Sequence, residues 1–339
     1  MKNRAVGAGI LSTKLIDSFG RTIDYLRISI TERCNLRCLY CMPSDCSGKI
    51  AGDEVMRFED LLRICRILAS IGISTVRVTG GEPLVRKGVA DFIKEIKSID
   101  GIKRVNMTTN GMLLGEHLQS LAAAGLDAIN ISLDTLDNEK FRHLAGREGL
   151  AAILPAIDRA LALGLTVKIN CVPLRGFNEE DIVRIAALAK DKKIGVRFIE
   201  LMPLGAAAAM QPLPVNETAA LIEKAFGQLT PSAVKPGSGP AVYYTLPGFA
   251  GYIGIIGALS SRFCEDCNRM RITSAGILKP CLASDIGIGL RQLLKDNASD
   301  REIEKAVREL VRKKPAGQNF TAASEKAKLG KIEMARIGG

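Results

Sequence analysis

Tryptophan is absent from the 339 residues, and only two histidines occur, His117 and His143. Both fall in helix-like segments where a surface structural role suffices, so histidine-centred acid–base or Ser-His-Asp chemistry has little material to work with. Aromatic residues make up 4% of the chain, a poor supply of stacking platforms for single-stranded nucleic acid. No apolar run reaches the ~18 to 20 residues that a membrane-spanning helix requires. The first twenty residues carry Lys2 and Arg4 but only a short apolar patch, Ala5 to Leu11, with no convincing cleavage site. A cytoplasmic protein with an N-terminal arm is the expectation.

Against these absences stand nine cysteines and a formal net charge of +11. An odd cysteine count without an export signal argues for metal ligation over disulfides. The positive balance favours a polyanionic partner, and composition alone does not choose among nucleic acid, a membrane surface and a phosphorylated small molecule. Hydrophobic residues at 47% and charged residues at 24% describe a globular chain. Its length suits two domains, or one large α/β domain with an appendage.

Short β-like runs recur at 24–31, 74–80, 104–110, 127–134, 166–172 and 195–202, each followed by a helical stretch, which predicts an α/β fold with a parallel sheet. Phe58, Leu61, Leu62, Cys65 and Leu68 repeat at helical spacing, as do Ile182, Ile185, Ala186 and Ala189. Asn178 before three acidic residues is an N-cap candidate for the latter helix. The strands alternate rather than running continuously apolar, as a sheet covered on both faces would. Leu26, Ile28 and Ile30 oppose Arg27, Ser29 and Thr31; Val76 and Val78 oppose Arg77 and Thr79; and Asn106, Thr108, Asn130, Ser132, Lys168 and Asn170 continue the polar set. With helices on the apolar face, the polar face looks either into water or into the lumen of a curved barrel. A lumen lined by Arg27, Arg77, Lys168 and Arg197 would be costly without an anion to neutralise it. The texture changes after Leu201 to stretches rich in Pro, Ala and Gly, placing a boundary near 203–210 and dividing the chain into 1–205 and 206–339. Residues 289–314 read as one charged helical stretch.

Cys34, Cys38 and Cys41 lie on one short loop with gaps of three and two residues. Three soft thiolates can hold three corners of a [4Fe–4S] cluster and leave the fourth iron open. A zinc site would need a fourth ligand, for which Cys46 is the nearest thiol, but four thiols crowded so closely would be atypical. Cys264, Cys267 and Cys281 form a second three-thiol set, compatible by itself with either zinc or a second cluster. Cys65 and Cys171 fall on apolar positions and read as buried structural thiols.

The Cys34, Cys38, Cys41 spacing with Tyr40 before the last cysteine, together with TGGEP at 79–83, TTNG at 108–111 and NISLD at 130–134, resembles the radical S-adenosylmethionine (SAM) enzymes. The combination of LRISIT-RCNLRCLYCMP, RVTGGEPLVR, RFIELMPLG, FCEDCNRMRIT, LKPCL and a terminal Gly-Gly is similar, more narrowly, to the GTP 3′,8-cyclase family of molybdenum cofactor biosynthesis. The resemblance implies a partial (βα)6 radical-SAM barrel with a C-terminal extension that carries a second [4Fe–4S] cluster. It implies that SAM chelates the open iron of the first cluster and yields a 5′-deoxyadenosyl radical that removes the C3′ hydrogen of GTP. The ribose radical would then close on C8 of guanine. By the same resemblance, Cys34, Cys38 and Cys41 hold the first cluster and Cys264, Cys267 and Cys281 the second. Tyr40, Gly81, Ser132 and Met202 contact SAM, with Gly80 and Gly81 giving the methionyl end close backbone approach. Arg27, Arg77, Thr108, Lys168, Arg269, Met270 and Arg271 contact GTP, and the terminal Gly338 and Gly339 reach into the active site. Implied partners are a downstream cyclic pyranopterin monophosphate synthase and a one-electron donor, with no nucleic acid or membrane; a homodimer is compatible. Cys46 and the segment around 44–54 depart from the family pattern.

Two other readings compete. A radical enzyme modifying RNA or a peptide would use the second cluster as an auxiliary electron site, although the scarcity of aromatics offers RNA little. A non-catalytic zinc adaptor would leave the polar strand faces unexplained.

Overall fold

The computed structural model describes residues 14–42, 54–234, 236–237, 239–261 and 263–317. Six strands and the helices between them follow the alternation in the sequence. They are β1 (Tyr25–Ser29), α1 (Phe58–Ser70), β2 (Thr75–Thr79), α2 (Val89–Lys97), β3 (Arg104–Thr109), α3 (Leu114–Ala123) and β4 (Ala128–Ser132). Then come α4 (Asn138–Ala145), α5 (Leu150–Ala162), β5 (Thr166–Cys171), α6 (Glu179–Asp191) and β6 (Gly195–Ile199). All five neighbouring pairs from β1 to β6 are parallel.

The helices lie on one face because the strands present their aliphatic side chains there. Leu26, Ile28, Val76, Val78, Val105, Met107, Ile129, Ile131, Val167 and Ile169 are all buried in one continuous core with Leu61, Ile64, Cys65 and Leu68 of α1 and Ile182, Ile185, Ala186 and Ala189 of α6. Each fully buried aliphatic side chain contributes about 1.5–3 kcal/mol, so this face supplies most of the cohesion. The opposite face carries the polar residues, as the curved-barrel alternative requires.

The C-terminal half extends the same sheet at both edges. After α7 (Val215–Phe226) come β7 (Thr230–Pro231), β8 (Val242–Thr245), β9 (Tyr252–Ile256), β10 (Arg269–Ile272), β11 (Ile277–Lys279) and β12 (Ile288–Gly289). Among the described residues the twelve strands run in the order β12-β11-β10-β1-β2-β3-β4-β5-β6-β9-β8-β7. β10 pairs in parallel with β1, and β9 in parallel with β6. The sheet is thus an open, partial barrel, and the second half of the chain flanks the first on both sides.

Two expectations change. The stretch 289–314 is not one helix: α8 (Leu290–Lys295) ends before a turn through Asn297, whose φ is 55°, and α9 (Asp300–Arg312) begins at the Ser299 capping box. Asn178 precedes α6 but does not cap it through its side chain. Its carboxamide is buried, accepts the Leu174 amide at 2.7 Å and donates to the carbonyls of Asp134 at 2.8 Å and Val172 at 3.0 Å. It joins the ends of β4 and β5 because these loops have no strand partners for those groups. Asn178→Ala should therefore cost roughly 2–3 kcal/mol by leaving buried backbone groups unpaired. A denaturant titration would show a lower midpoint with an unchanged slope; an unchanged midpoint would contradict this role.

Candidate active site

The loop that follows β1 carries Cys34, Cys38 and Cys41 to the C-terminal end of the parallel strands. Its backbone is pinned by Arg37 and Leu39 amides donating to the carbonyls of Ala145 and Leu144, at 2.8 and 3.0 Å. The Leu36 amide and the Asn110 carboxamide point at Cys34 Sγ, at 3.4 and 3.9 Å. Burial pushes the Cys34 thiol up; burial and the neighbouring Cys41, Asp134 and Cys34 charges push Cys38 up further. Holding these thiols as thiolates therefore calls for a cation.

Other elements at this end pack against the cysteine loop. Gly81 donates its amide to Thr31 O at 2.7 Å, and Glu82 to Arg33 O at 2.8 Å. A Cβ on Gly81 would lie 2.4 Å from Arg33 O, and one on Gly80 would lie 2.6 Å from Thr31 O. The two glycines thus answer to the backbone of the cysteine loop itself, a packing reason that a ligand-centred reading of GGEP does not contain. Glu82 is wholly buried, accepting from Leu84 N, Thr109 Oγ1 and Asn110 N, and burial raises its carboxyl to about 7. Tyr40 donates its hydroxyl to Asp134 at 2.6 Å, and burial raises Asp134 to about 6. Ser132 closes β4 and Met202 lies just past β6, both half-buried on the same end of the barrel.

A belt of cations crosses the polar face. In register, Arg271 of β10 lies beside Arg27 of β1, Arg27 beside Arg77 of β2, and Arg77 beside Asn106 of β3. Farther round, Thr108 neighbours Asn130, which neighbours Lys168, and Asn170 neighbours Arg197. Arg77 is 5% and Lys168 6% exposed, so these charges face each other in a largely dry space. Burial and the nearby Arg197, Arg77 and Arg104 lower Lys168 to about 7. Burial and Arg269 lower Arg271 to about 10. Arg77 donates to the Tyr25 hydroxyl and to Thr108 Oγ1, while the buried Arg197 Nε and Asn130 Oδ1 have no protein partner. An orphaned donor and acceptor among crowded cations mark a place shaped for a polar, anionic ligand.

The second thiol set sits at the other end. Cys264 and Cys267 precede β10, and the antiparallel β10–β11 hairpin returns the chain to Cys281. Since β10 runs parallel to β1, residues before it lie at the N-terminal end of the barrel, opposite Cys34, Cys38 and Cys41. The five residues of β1 that separate the two ends span roughly 16 Å at about 3.3 Å per residue. Despite burial, Arg269 and Lys314 draw Cys267 down to about 7, favouring the thiolate.

The structure thus gathers Tyr40, Gly81, Ser132 and Met202 at one end, and Arg27, Arg77, Thr108, Lys168, Arg269 and Arg271 along the lumen. The Met270 side chain is 1% exposed and packs in the hydrophobic core beside Leu26; the alternation that turns Arg269 and Arg271 inward leaves only its main chain on the lumen side. Gly338, Gly339 and Cys46 lie outside the described residues. Sequence reasoning missed Tyr25, which the same alternation places two residues before Arg27, and whose phenol the cations Arg77, Arg27 and Arg269 hold below its usual range despite burial.

Residues 28–189 match the family model of the radical SAM superfamily, and residues 194–320 match that of Molybdenum Cofactor Synthesis C. A GTP 3′,8-cyclase of Clostridium perfringens (strain 13 / Type A) is 42% identical over 304 residues, covering 90% of this chain and 94% of that one. The chain belongs to the GTP 3′,8-cyclase family. Family members from Peptoclostridium acidaminophilum (40% over 326 residues, 96% of this chain and 98% of that one) and Geobacter sulfurreducens (42% over 329 residues, 96% and 100%) agree. In fold, Streptococcus suis SuiB bound to S-adenosylmethionine superposes with a TM-score of 0.61 at 16% identity, covering 90% of this chain and 76% of that one.

Membership of this family implies a [4Fe–4S] cluster and SAM. The first thiol set fits that group: three soft donors on one loop, N–H groups aimed at sulfur, and a carboxylate-lined pocket beside them. Gly81→Ala should displace the loop, since the obstructing atoms are backbone and cannot rotate away. Anaerobically reconstituted Gly81→Ala protein is expected to lose roughly the four irons of one cluster with its far-UV circular dichroism unchanged. Full iron loading would refute the packing role.

Proposed function

We propose that the protein converts GTP to 3′,8-cyclo-7,8-dihydro-GTP, the first committed step toward molybdenum cofactor, with GTP held in the cationic lumen between two thiol sets. The observation that carries the reading is the belt of buried Arg77, Lys168, Arg197 and Arg271 with half-buried Arg27 between Arg271 and Arg77. A triphosphate carries the charge that these groups need, and guanidinium forks suit its oxygens.

In this reading Cys34, Cys38 and Cys41 hold a [4Fe–4S] cluster, and Tyr40, Gly81, Ser132 and Met202 surround SAM. When bound, the reduced cluster supplies the electron that cleaves SAM to a 5′-deoxyadenosyl radical, which takes the C3′ hydrogen of GTP. Arg27, Arg77, Thr108, Lys168, Arg269 and Arg271 orient the nucleotide and exclude water, and the main chain at Met270 adds to the wall. Cys264, Cys267 and Cys281 would hold a second cluster at the end of the lumen beside Arg269 and Arg271. The resemblance assigns Gly338 and Gly339, outside the described residues, to the same reaction. Residues 1–205 form the barrel domain and 206–339 its C-terminal partner. The product passes to cyclic pyranopterin monophosphate synthase, and a one-electron donor serves the enzyme in the cytoplasm. Among the described residues no helix is long and apolar enough to cross a membrane.

Incubation under anaerobic, reducing conditions with SAM and GTP deuterated at C3′ tests the reaction. Deuterium is expected in the 5′-deoxyadenosine, and SAM cleavage without transfer would exclude abstraction at C3′.

Lys168 adds a pH signature. With its pKa at about 7, against an ordinary 10.5, the ligand-free fold holds it neutral above pH 7, and the triphosphate restores its charge. Binding therefore takes up a proton between the two values, and GTP affinity falls as pH rises through that window. Calorimetry without reductant at pH 8, in buffers of different ionisation enthalpy, should register uptake of up to about one proton. No uptake, or the same uptake in Lys168→Met, would place the phosphates elsewhere.

A further inference from the structure

Lys314 belongs to neither the SAM end nor the cationic belt. The amphipathic helix α9 delivers it: Ile303, Val307, Leu310 and Val311 are buried, anchoring the helix on α1 and β12. Just past its end, Lys314 is 3% exposed. Its Nζ donates to Arg269 O at 2.8 Å, to Pro280 O at 2.5 Å and toward Cys267 Sγ at 3.6 Å. An ammonium has three N–H donors, and all three go to the segments that carry the second thiol set. Cys267 and Arg269 lie on the way into the β10–β11 hairpin, and Pro280, next to Cys281, on the way out.

Arg21 works from the other side. Locked to Asp17 by a buried ion pair, it donates to Cys264 O at 2.6 Å, Pro315 O at 2.6 Å and Ala316 O at 3.0 Å. Cys264, the first cysteine of the set, and the chain just after Lys314 are thereby fastened together. A buried ammonium bonded to two neutral carbonyls remains an uncompensated charge. Anionic sulfur within reach of its third proton is what makes the burial tolerable.

We infer that Lys314 is a positioning residue for the second cluster, fixing the span between Cys267 and Cys281 and donating an N–H···S bond that makes that cluster easier to reduce. The inference rests on the proposed assignment of Cys264, Cys267 and Cys281 to a cluster. A nearby cation and a hydrogen bond to a ligand sulfur both favour the reduced, more negative state.

The test compares full-length, anaerobically reconstituted wild type with Lys314→Met and Lys314→Gln, by iron and acid-labile sulfide content and by redox titration followed by electron paramagnetic resonance. Wild type should hold roughly eight irons. In Lys314→Met one midpoint potential should move about 59 mV more negative, a tenfold weaker one-electron reduction, with the other unchanged. Loss of roughly four irons with SAM cleavage retained would support the same role through retention. Lys314→Gln keeps N–H donors without the charge; a smaller shift in the same direction supports the inference and decides it if the methionine variant does not fold. Wild-type iron and unchanged potentials in Lys314→Gln, or in a folded Lys314→Met, would overturn it. A wild type with roughly four irons would overturn the second-cluster assignment itself, and the role of Lys314 with it.

Discussion

Crowded cations inside a protein are tolerated only where something else holds the fold together and something anionic visits. Both conditions shape this chain. Arg27, Arg77, Lys168, Arg197 and Arg271 share the inner face of one sheet, so the helices outside must supply the cohesion that the lumen withholds. The aliphatic outer face does this, with Val76, Val105, Ile129, Val167 and their neighbours sealed under α1 to α6. The strict period of two in each strand is the sequence-level expression of that division of labour.

The same constraint explains why the second half of the chain cannot be a loose appendage to the first. β10 inserts beside β1 and aligns Arg271 with Arg27, while β9 pairs with β6. The belt of cations is not complete without β10, which sets Arg271 beside Arg27. The hairpin that brings Arg271 also brings Cys267 and Cys281 together at the N-terminal end of the barrel, so the cations of the lumen and the second thiol set are placed by one piece of sheet pairing.

Much of this was legible in advance because it rests on local periodicity. The six strand positions and the inward set Arg27, Arg77, Thr108 and Lys168 follow from alternation, and the thiol sets from spacing. Where reasoning failed, contacts distant in sequence decided. Asn178 looks like a cap but bonds to the ends of β4 and β5, because three unpaired backbone groups there outweigh one helix terminus. Arg21 and Lys314 carry no motif at all; their partners, 243 and 47 residues away in sequence, can be found only in three dimensions. The glycines of GGEP were legible as glycines, but their reason, the carbonyls of Thr31, Glu32 and Arg33, was not.

The two ends of the lumen differ in the sign of their surroundings. Around Cys34, Cys38 and Cys41 lie the buried carboxyls Asp134 and Glu82, and Cys38 is held up by burial and by Cys41 and Asp134. Around Cys267 lie Arg269 and Lys314, and the thiol is drawn down. A cation is favoured at the first end and an anion toward the second, so the field sorts ligands by sign before any specific contact forms. An electron-rich group is likewise harder to reduce beside carboxyls than beside cations. A redox group at the first end is therefore a stronger reductant than the same group at the second.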